Sequence, residues 1–164
     1  MLSRGFTLIE LVTVVAIVAV LLVAGVPMIG DAIQTARIRS AAGELAASLQ
    51  AARAVALRSN NSATYQLEST GSWTVTLPDG TQAKSGRLDF VDKVSVNPAT
   101  ASFSFNSLGG VAFRAFDLGP TAMDRCRTVG GDIDCLRVEL LAGGAARICN
   151  PYLTAGSSEN ACTP

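Results

Sequence analysis

Few side chains in this sequence of 164 residues are of kinds that do chemistry, and their spacing narrows what they could do. Four are cysteines: Cys126, Cys135, Cys149 and Cys162, all in the last quarter of the chain. Structural zinc sites use cysteine pairs a few residues apart, or histidines, and this chain has neither. An even number of cysteines behind an export-type N-terminus reads instead as two disulfides in an oxidising compartment. The absence of histidine removes His-based triads and most catalytic metal sites. Gly109-Gly110, Gly130-Gly131 and Gly143-Gly144 are isolated pairs that form no phosphate-binding motif. Asp132 and Asp134 lie in a glycine-bearing loop, which could suggest calcium coordination and is ordinarily just a solvated turn. No catalytic residue, cofactor or metal is expected.

The other chemically loaded residue is Glu10. From Leu11 to Ile29 no residue is charged, and the run LVTVVAIVAVLLVAGVPMI would span roughly 28 Å as a helix, close to the hydrocarbon core of a bilayer. A conventional signal peptide has a basic start, an apolar stretch and a small-residue cleavage site. Val23-Ala24-Gly25 could imitate such a site. Glu10 argues against it, because a carboxylate in an apolar helix costs roughly 2.5–3.5 kcal/mol on insertion scales and an export signal gains nothing from one. A carboxylate near a helix start is eased by the macrodipole but still seeks a cation once lipid surrounds it; otherwise it snorkels to the headgroups.

The segment Gly5-Phe6-Thr7-Leu8-Ile9-Glu10-Leu11, behind the short basic leader Met1-Leu2-Ser3-Arg4, resembles the type III signal of the type IV pilin and type II secretion pseudopilin superfamily. The resemblance implies cleavage after Gly5 by a membrane prepilin peptidase and methylation of the new amine on Phe6. The apolar helix is then kept as membrane anchor and filament core, with Pro27 at a place where pilins commonly loosen the helix. The amine of Phe6, in the same or a neighbouring subunit, becomes the partner of Glu10 and sets subunit register.

These residues must be carried by two kinds of element. Ile38, Ala42, Leu45, Leu49, Ala52 and Ala56 recur at spacings of four and three, an apolar helical stripe, with Arg37, Glu44, Gln50 and Arg58 off it. Asn60-Asn61-Ser62 closes that helix. Strands are predicted at 63–67 and 73–77, a hairpin ended by Pro78-Asp79-Gly80, and more weakly at 87–91, 94–96, 102–105 and 111–116. A final antiparallel pair, 134–141 and 145–149, turns at Gly143-Gly144. The expected fold is α+β, one long helix on a mostly antiparallel β head. Its segments are leader 1–5, transmembrane helix 6–30, amphipathic helix 31–60 and β-rich head 61–164.

The back half, Phe103-Ser-Phe-Asn-Ser-Leu-Gly109-Gly-Val through Arg147-Ile148-Cys149-Asn150-Pro151, resembles the heads of GspH/FimT-type minor pilins and pseudopilins, which pack two sheets on the helix. Some members of that group bind DNA through Gly-Arg-x-Arg before this cysteine. Here the stretch is Gly144-Ala145-Ala146-Arg147, with the first arginine missing. From Val111 onward five basic and six acidic residues make no footprint for phosphate. Arg147 is thus the one candidate DNA contact, read chiefly as a solvated strand residue. Over the whole chain, thirteen basic and thirteen acidic residues balance. Loops with turn formers favour local pairing, Cys126–Cys135 and Cys149–Cys162, with the two other pairings open.

Together these features describe a structural minor pilin that helps initiate or cap a type IV pilus, and not an enzyme. The alternatives are a type II secretion pseudopilin and a DNA-binding pilin at a pilus tip. Its partners would be other pilins or pseudopilins through the N-terminal helix, the prepilin peptidase and the inner membrane. The head would be periplasmic before assembly and part of an extracytoplasmic filament after it. Intact-mass analysis of membrane-extracted protein should show loss of Met1–Gly5 and one added methyl group. A mature chain starting near Val26 would mean an ordinary signal peptide, and Gly5→Val should leave the leader attached.

Overall fold

The computed structural model describes residues 7–90, 92–153 and 158–163, with backbone alone for 23–29. In chain order the elements are α1 (Leu8–Ser59), β1 (Ala63–Leu67), β2 (Ser72–Thr76), β3 (Gln82–Arg87), β4 (Ser95–Asn97) and β5 (Ala101–Phe105). After these come β6 (Arg114–Gly119), two 3-10 turns (Met123–Arg125 and Arg127–Val129), β7 (Leu136–Leu140) and β8 (Ala146–Cys149). The chain divides between Ile33 and Gln34 into two compact units.

In the first unit α1 starts after Thr7, whose carbonyl accepts the Glu10 and Leu11 amides at 3.1 and 3.2 Å. Leu8, Ile9, Leu11, Val12, Val15 and Ile17 are all exposed, so apolar side chains ring the helix. A helix without a polar face belongs in lipid or inside a larger assembly. Among the described residues no helix is long and apolar enough to cross a membrane. The apolar run of the sequence, Leu11–Ile29, includes residues 23–29, whose side chains lie outside the description. Pro27, expected to loosen the helix, falls there too; α1 is continuous through its position.

In the second unit the predicted stripe is the buried face of α1. Ile38, Ala42, Leu45, Leu49, Ala52 and Ala56 are fully buried, joined by Ala41 and Ser48. The helix ends as a Schellman motif. Asn60 takes a left-handed conformation (φ 47°), its amide reaches the Leu57 carbonyl at 3.4 Å, and the Asn61 amide reaches Ala56 at 3.3 Å.

Two four-stranded antiparallel sheets share the core with that face, in the orders β3-β2-β1-β5 and β4-β6-β7-β8. This is the α+β architecture expected from the sequence. The chain changes sheet at β4, at β5 and again at β6, so neither sheet is built from one continuous run. Aromatic rings join them: Tyr65 and Phe103 lie 5.4 Å apart in the first sheet, and Phe103 lies 6.4 Å from Phe116 in the second.

The strand reading needs two corrections. Pro78-Asp79-Gly80 does not end a hairpin but turns the chain into β3, which pairs with β2 along Ser72–Thr76. All of β3 is exposed, so it shows no alternation of apolar residues. Its Gly86 lies opposite Trp73, and a Cβ there would come within 2.7 Å of the indole. Of the strand expected at 87–91, only Arg87 lies in a strand among the described residues, as the last residue of β3. Leu88 and Phe90 are buried from a loop beyond β3, and the Leu88 amide donates to the Gly71 carbonyl at 3.0 Å.

Among the described residues, Ser48 and Tyr65 make the one polar link inside this apolar interface for which both residues are buried. Ser48 Oγ donates to the Leu45 carbonyl (2.8 Å), which leaves a lone pair for the Tyr65 phenol at 2.9 Å. Burial pushes the phenol up to about 12, with a smaller opposing pull from the Ser48 hydroxyl. The folded state therefore favours the neutral phenol. That stabilisation is intact below the ordinary tyrosine value of about 10 and lost as pH rises to about 12, roughly 2–3 kcal/mol in all. Denaturant titrations of the detergent-solubilised chain across this range should show that loss. In Tyr65→Phe the slope should be flatter, with about 1 kcal/mol less stability at neutral pH.

Candidate functional site

Two places carry the residues singled out from the sequence. The first is the start of α1. Gly5 and Phe6, the expected cleavage pair, lie outside the described residues. Glu10 lies in the first turn of the helix and is exposed. Its carboxylate is within 3.4 Å of the Thr7 hydroxyl, a long contact that leaves the charge near the positive end of the macrodipole. The Thr7-Leu8-Ile9-Glu10 spacing is also that of a helix-start capping pair.

The second place is the outer face of the β6-β7-β8 meander. In its register Glu139 lies opposite Arg147, and Arg137 lies opposite both Asp117 and Cys149. Side chains opposite one another share a face, so alternation sets Asp117, Arg137, Glu139, Arg147 and Cys149 on one side and Val138 and Leu140 on the other. Arg137 grips Asp117 with two bonds, Nε to Oδ1 at 2.7 Å and Nη2 to Oδ2 at 3.2 Å. The Asp117 carboxylate holds the guanidinium above its usual range.

Glu139 is fully buried, although a strand residue on this face would ordinarily meet water. The C-terminal tail covers it. Thr163 donates its hydroxyl to Glu139 Oε2 at 2.6 Å and its amide to the same carboxylate at 3.2 Å. Arg147 Nη2 donates to Glu139 Oε2 at 3.2 Å and to the Ala161 carbonyl at 2.8 Å. Cys149 is bonded to Cys162 (Cα–Cα 5.0 Å), tying the same tail to β8. Arg147 is therefore not the solvated strand residue read from the sequence. It is half-buried and turned towards Glu139, with its Nε buried and unpartnered. Glu139 was missed because Val138-Glu139-Leu140 alternates as a solvated strand would. The available signal was hairpin symmetry: Glu139 and Arg147 are equidistant from Gly143.

Cys126 is bonded to Cys135 (Cα–Cα 5.4 Å) across the 3-10 turns. Gly119 packs on this bridge, and a Cβ there would lie 2.9 Å from both sulfurs. Asp134 is paired with Arg127 at 3.3 Å, while Asp132 is exposed. Of the glycine pairs, Gly144 is the most constrained. It has φ +77°, and a Cβ would collide with the carbonyl of Gly109, so the two loops meet backbone to backbone.

Among the described residues one group of metal-type donors converges, Glu139, Cys149 and Cys162, within 4.8 Å of one another. Its sulfurs are bonded to each other and its carboxylate is taken by Arg147 and Thr163. A cleft of about 140 Å³ lined by Leu67, Gly71, Leu88, Val94 and Val96 has Glu68 as its one ionisable side chain. Neither place assembles a nucleophile with a base.

With this geometry in hand, the comparisons with known proteins are specific. The family described as type II transport protein GspH matches residues 41–144. The chain belongs to the GspH family. The prokaryotic N-terminal methylation motif matches residues 1–26. Pilins of this kind are structural proteins; membership implies assembly with other pilins and processing by prepilin peptidase, and the motif implies membrane anchoring. The fold is similar to the type IV minor pilin FimU of Pseudomonas aeruginosa, at TM-score 0.50 and 19% identity over 74% of this chain and 93% of that one. A second crystal form of FimU aligns at TM-score 0.48 and 20% identity, over 73% and 98% of the two chains. No curated protein matches the chain in sequence.

Non-reducing peptide mapping of this GspH-family protein should recover Cys126 with Cys135 and Cys149 with Cys162, and no cysteine should label with a thiol reagent in the native state. Replacing Cys149 and Cys162 together by serine should cost roughly 3 kcal/mol, the chain-entropy value for a loop of this size.

Proposed function

We propose that this chain is a structural minor pilin that helps initiate or cap a type IV pilus. The observation that carries the reading is Glu10. It is a carboxylate in the first turn of a helix whose large side chains there are apolar and exposed all round, and it lies within the methylation motif. Removing such a charge would improve membrane insertion, by up to the roughly 2.5–3.5 kcal/mol that a charge costs at a helix centre. Its retention makes sense where a cation meets it, and the amine of Phe6 freed by cleavage supplies one. The pair then sets the axial register between subunits as the helices bundle. In this reading the helix anchors the subunit in the inner membrane with its head in the periplasm, and later joins the filament core.

The family description, a type II transport protein, favours a second reading as a pseudopilin of a secretion system. The disulfide-bearing tail leans towards the pilus, where a head faces the outside of the cell. Arg147 spends its guanidinium on Glu139 and Ala161, so DNA capture is not proposed.

Filaments sheared from cells and captured through this subunit should contain other type IV pilins by mass spectrometry. Secretion components in their place would support the second reading. Glu10→Leu should insert into membranes at least as well as the parent yet fall several-fold in sheared filaments. Normal incorporation of that variant would remove the register pairing.

A further inference from the structure

We propose that Glu139 and Arg147 are positioning residues for oxidation, selecting Cys149 as the partner of Cys162. The two flanks of Cys162 are held by this one cross-strand pair. Arg147 Nη2 holds the Ala161 carbonyl at 2.8 Å on one side, and Glu139 holds the Thr163 amide and hydroxyl on the other. Between those grips Cys162 has little freedom, and Glu139 lies within 4.8 Å of both sulfurs. Two further contacts set the approach: the Asn150 amide donates to the Asn160 carbonyl at 2.7 Å, and Asn150 bridges Ala161.

None of these contacts needs the disulfide. Glu139 and Arg147 are aligned by the β7-β8 register, so the clamp can be assembled once the hairpin forms, with both thiols still reduced. It also gives the buried carboxylate a purpose. A charge removed from water is costly unless paired and hydrogen-bonded, and here its bonds to Thr163 bring a distant cysteine home. The separation of Cys149 and Cys162 is 13 residues, a loop that would otherwise be closed by chance encounter. Cys126 and Cys135 need no such help. Ile133 is bonded to both Arg125 and Arg127 around their loop, its amide donating to the Arg125 carbonyl at 3.0 Å and its carbonyl accepting from the Arg127 amide at 2.9 Å.

With a small disulfide such as oxidised glutathione, the chemistry is two exchanges. One protein thiolate attacks the oxidant, forming a mixed disulfide and releasing one glutathione thiolate. The second protein thiolate attacks the protein sulfur of that mixed disulfide and expels the other glutathione. Two protein thiols are oxidised and one glutathione disulfide is reduced to two thiols, which take up the two protons. The clamp acts on the second step, by raising the local concentration of one sulfur at the other.

The test uses the full chain in detergent micelles, reduced, then equilibrated in glutathione buffers, alkylated and mapped by peptide. In Thr163→Val and Glu139→Gln the Cys149–Cys162 equilibrium should shift about tenfold towards thiols, or about 30 mV. Thr163→Ser, which keeps the hydroxyl, should match the parent, and Cys126–Cys135 should be unchanged in all three. Parent-like closure in both Thr163→Val and Glu139→Gln would overturn the proposal. So would equal weakening of both disulfides, the mark of a general loss of structure.

Discussion

The head depends on how closely one face of α1 can be approached. That face is largely alanine and leucine, with Ala41, Ala42, Ala52 and Ala56 all fully buried. Small side chains bring the backbone of the helix near the sheets, and a larger residue at any of them would force strain into a close-packed core. Alanine contributes little burial of its own. The large apolar area comes from the other side, from Tyr65, Phe103, Phe105, Phe116 and Leu118, each worth roughly 1.5–3 kcal/mol when fully buried. A thin helix face and thick sheet faces are thus two halves of one packing solution, and Ser48 is tolerated there because Tyr65 and the Leu45 carbonyl satisfy its hydroxyl.

The second sheet carries a different constraint. Its inner face is apolar, but its outer face places Glu139 under the C-terminal tail. Burial of that carboxylate is tolerable because a guanidinium, a hydroxyl and a backbone amide reach it together. The tail has no strand or helix beyond β8 among the described residues. Its order comes from side-chain bonds and a disulfide, and these hold it to the very hairpin that the family resemblance had suggested for DNA contact.

For function, the distribution of polarity along α1 matters more than any cleft. One stretch of the helix is apolar on every side, and another is apolar on one stripe. In the proposed reading the first stretch meets lipid or sister helices, while the stripe packs on the chain's own head. The ionisable clusters among the described residues are ion pairs and caps that hold strands, turns and tail in place.

The sequence by itself determined the features that follow from local pattern. The stripe from Ile38 to Ala56 was legible because helical periodicity needs no knowledge of the partner. The helix stop at Asn60 was legible because asparagine tolerates the left-handed turn. Most strands showed through alternation, and the α+β class followed. Tertiary structure alone decided the rest. β3 is invisible to periodicity because an exposed edge strand buries neither face, and Trp73 lies over its glycine. Leu88 and Phe90 mimic a strand because core-filling residues of a loop can also alternate. Arg147 looked solvated and Glu139 drew no notice because their burial comes from a segment remote in sequence, folded over them from the far end of the chain. Periodicity records which side of its own element a residue occupies; what covers that side is settled only when the elements meet.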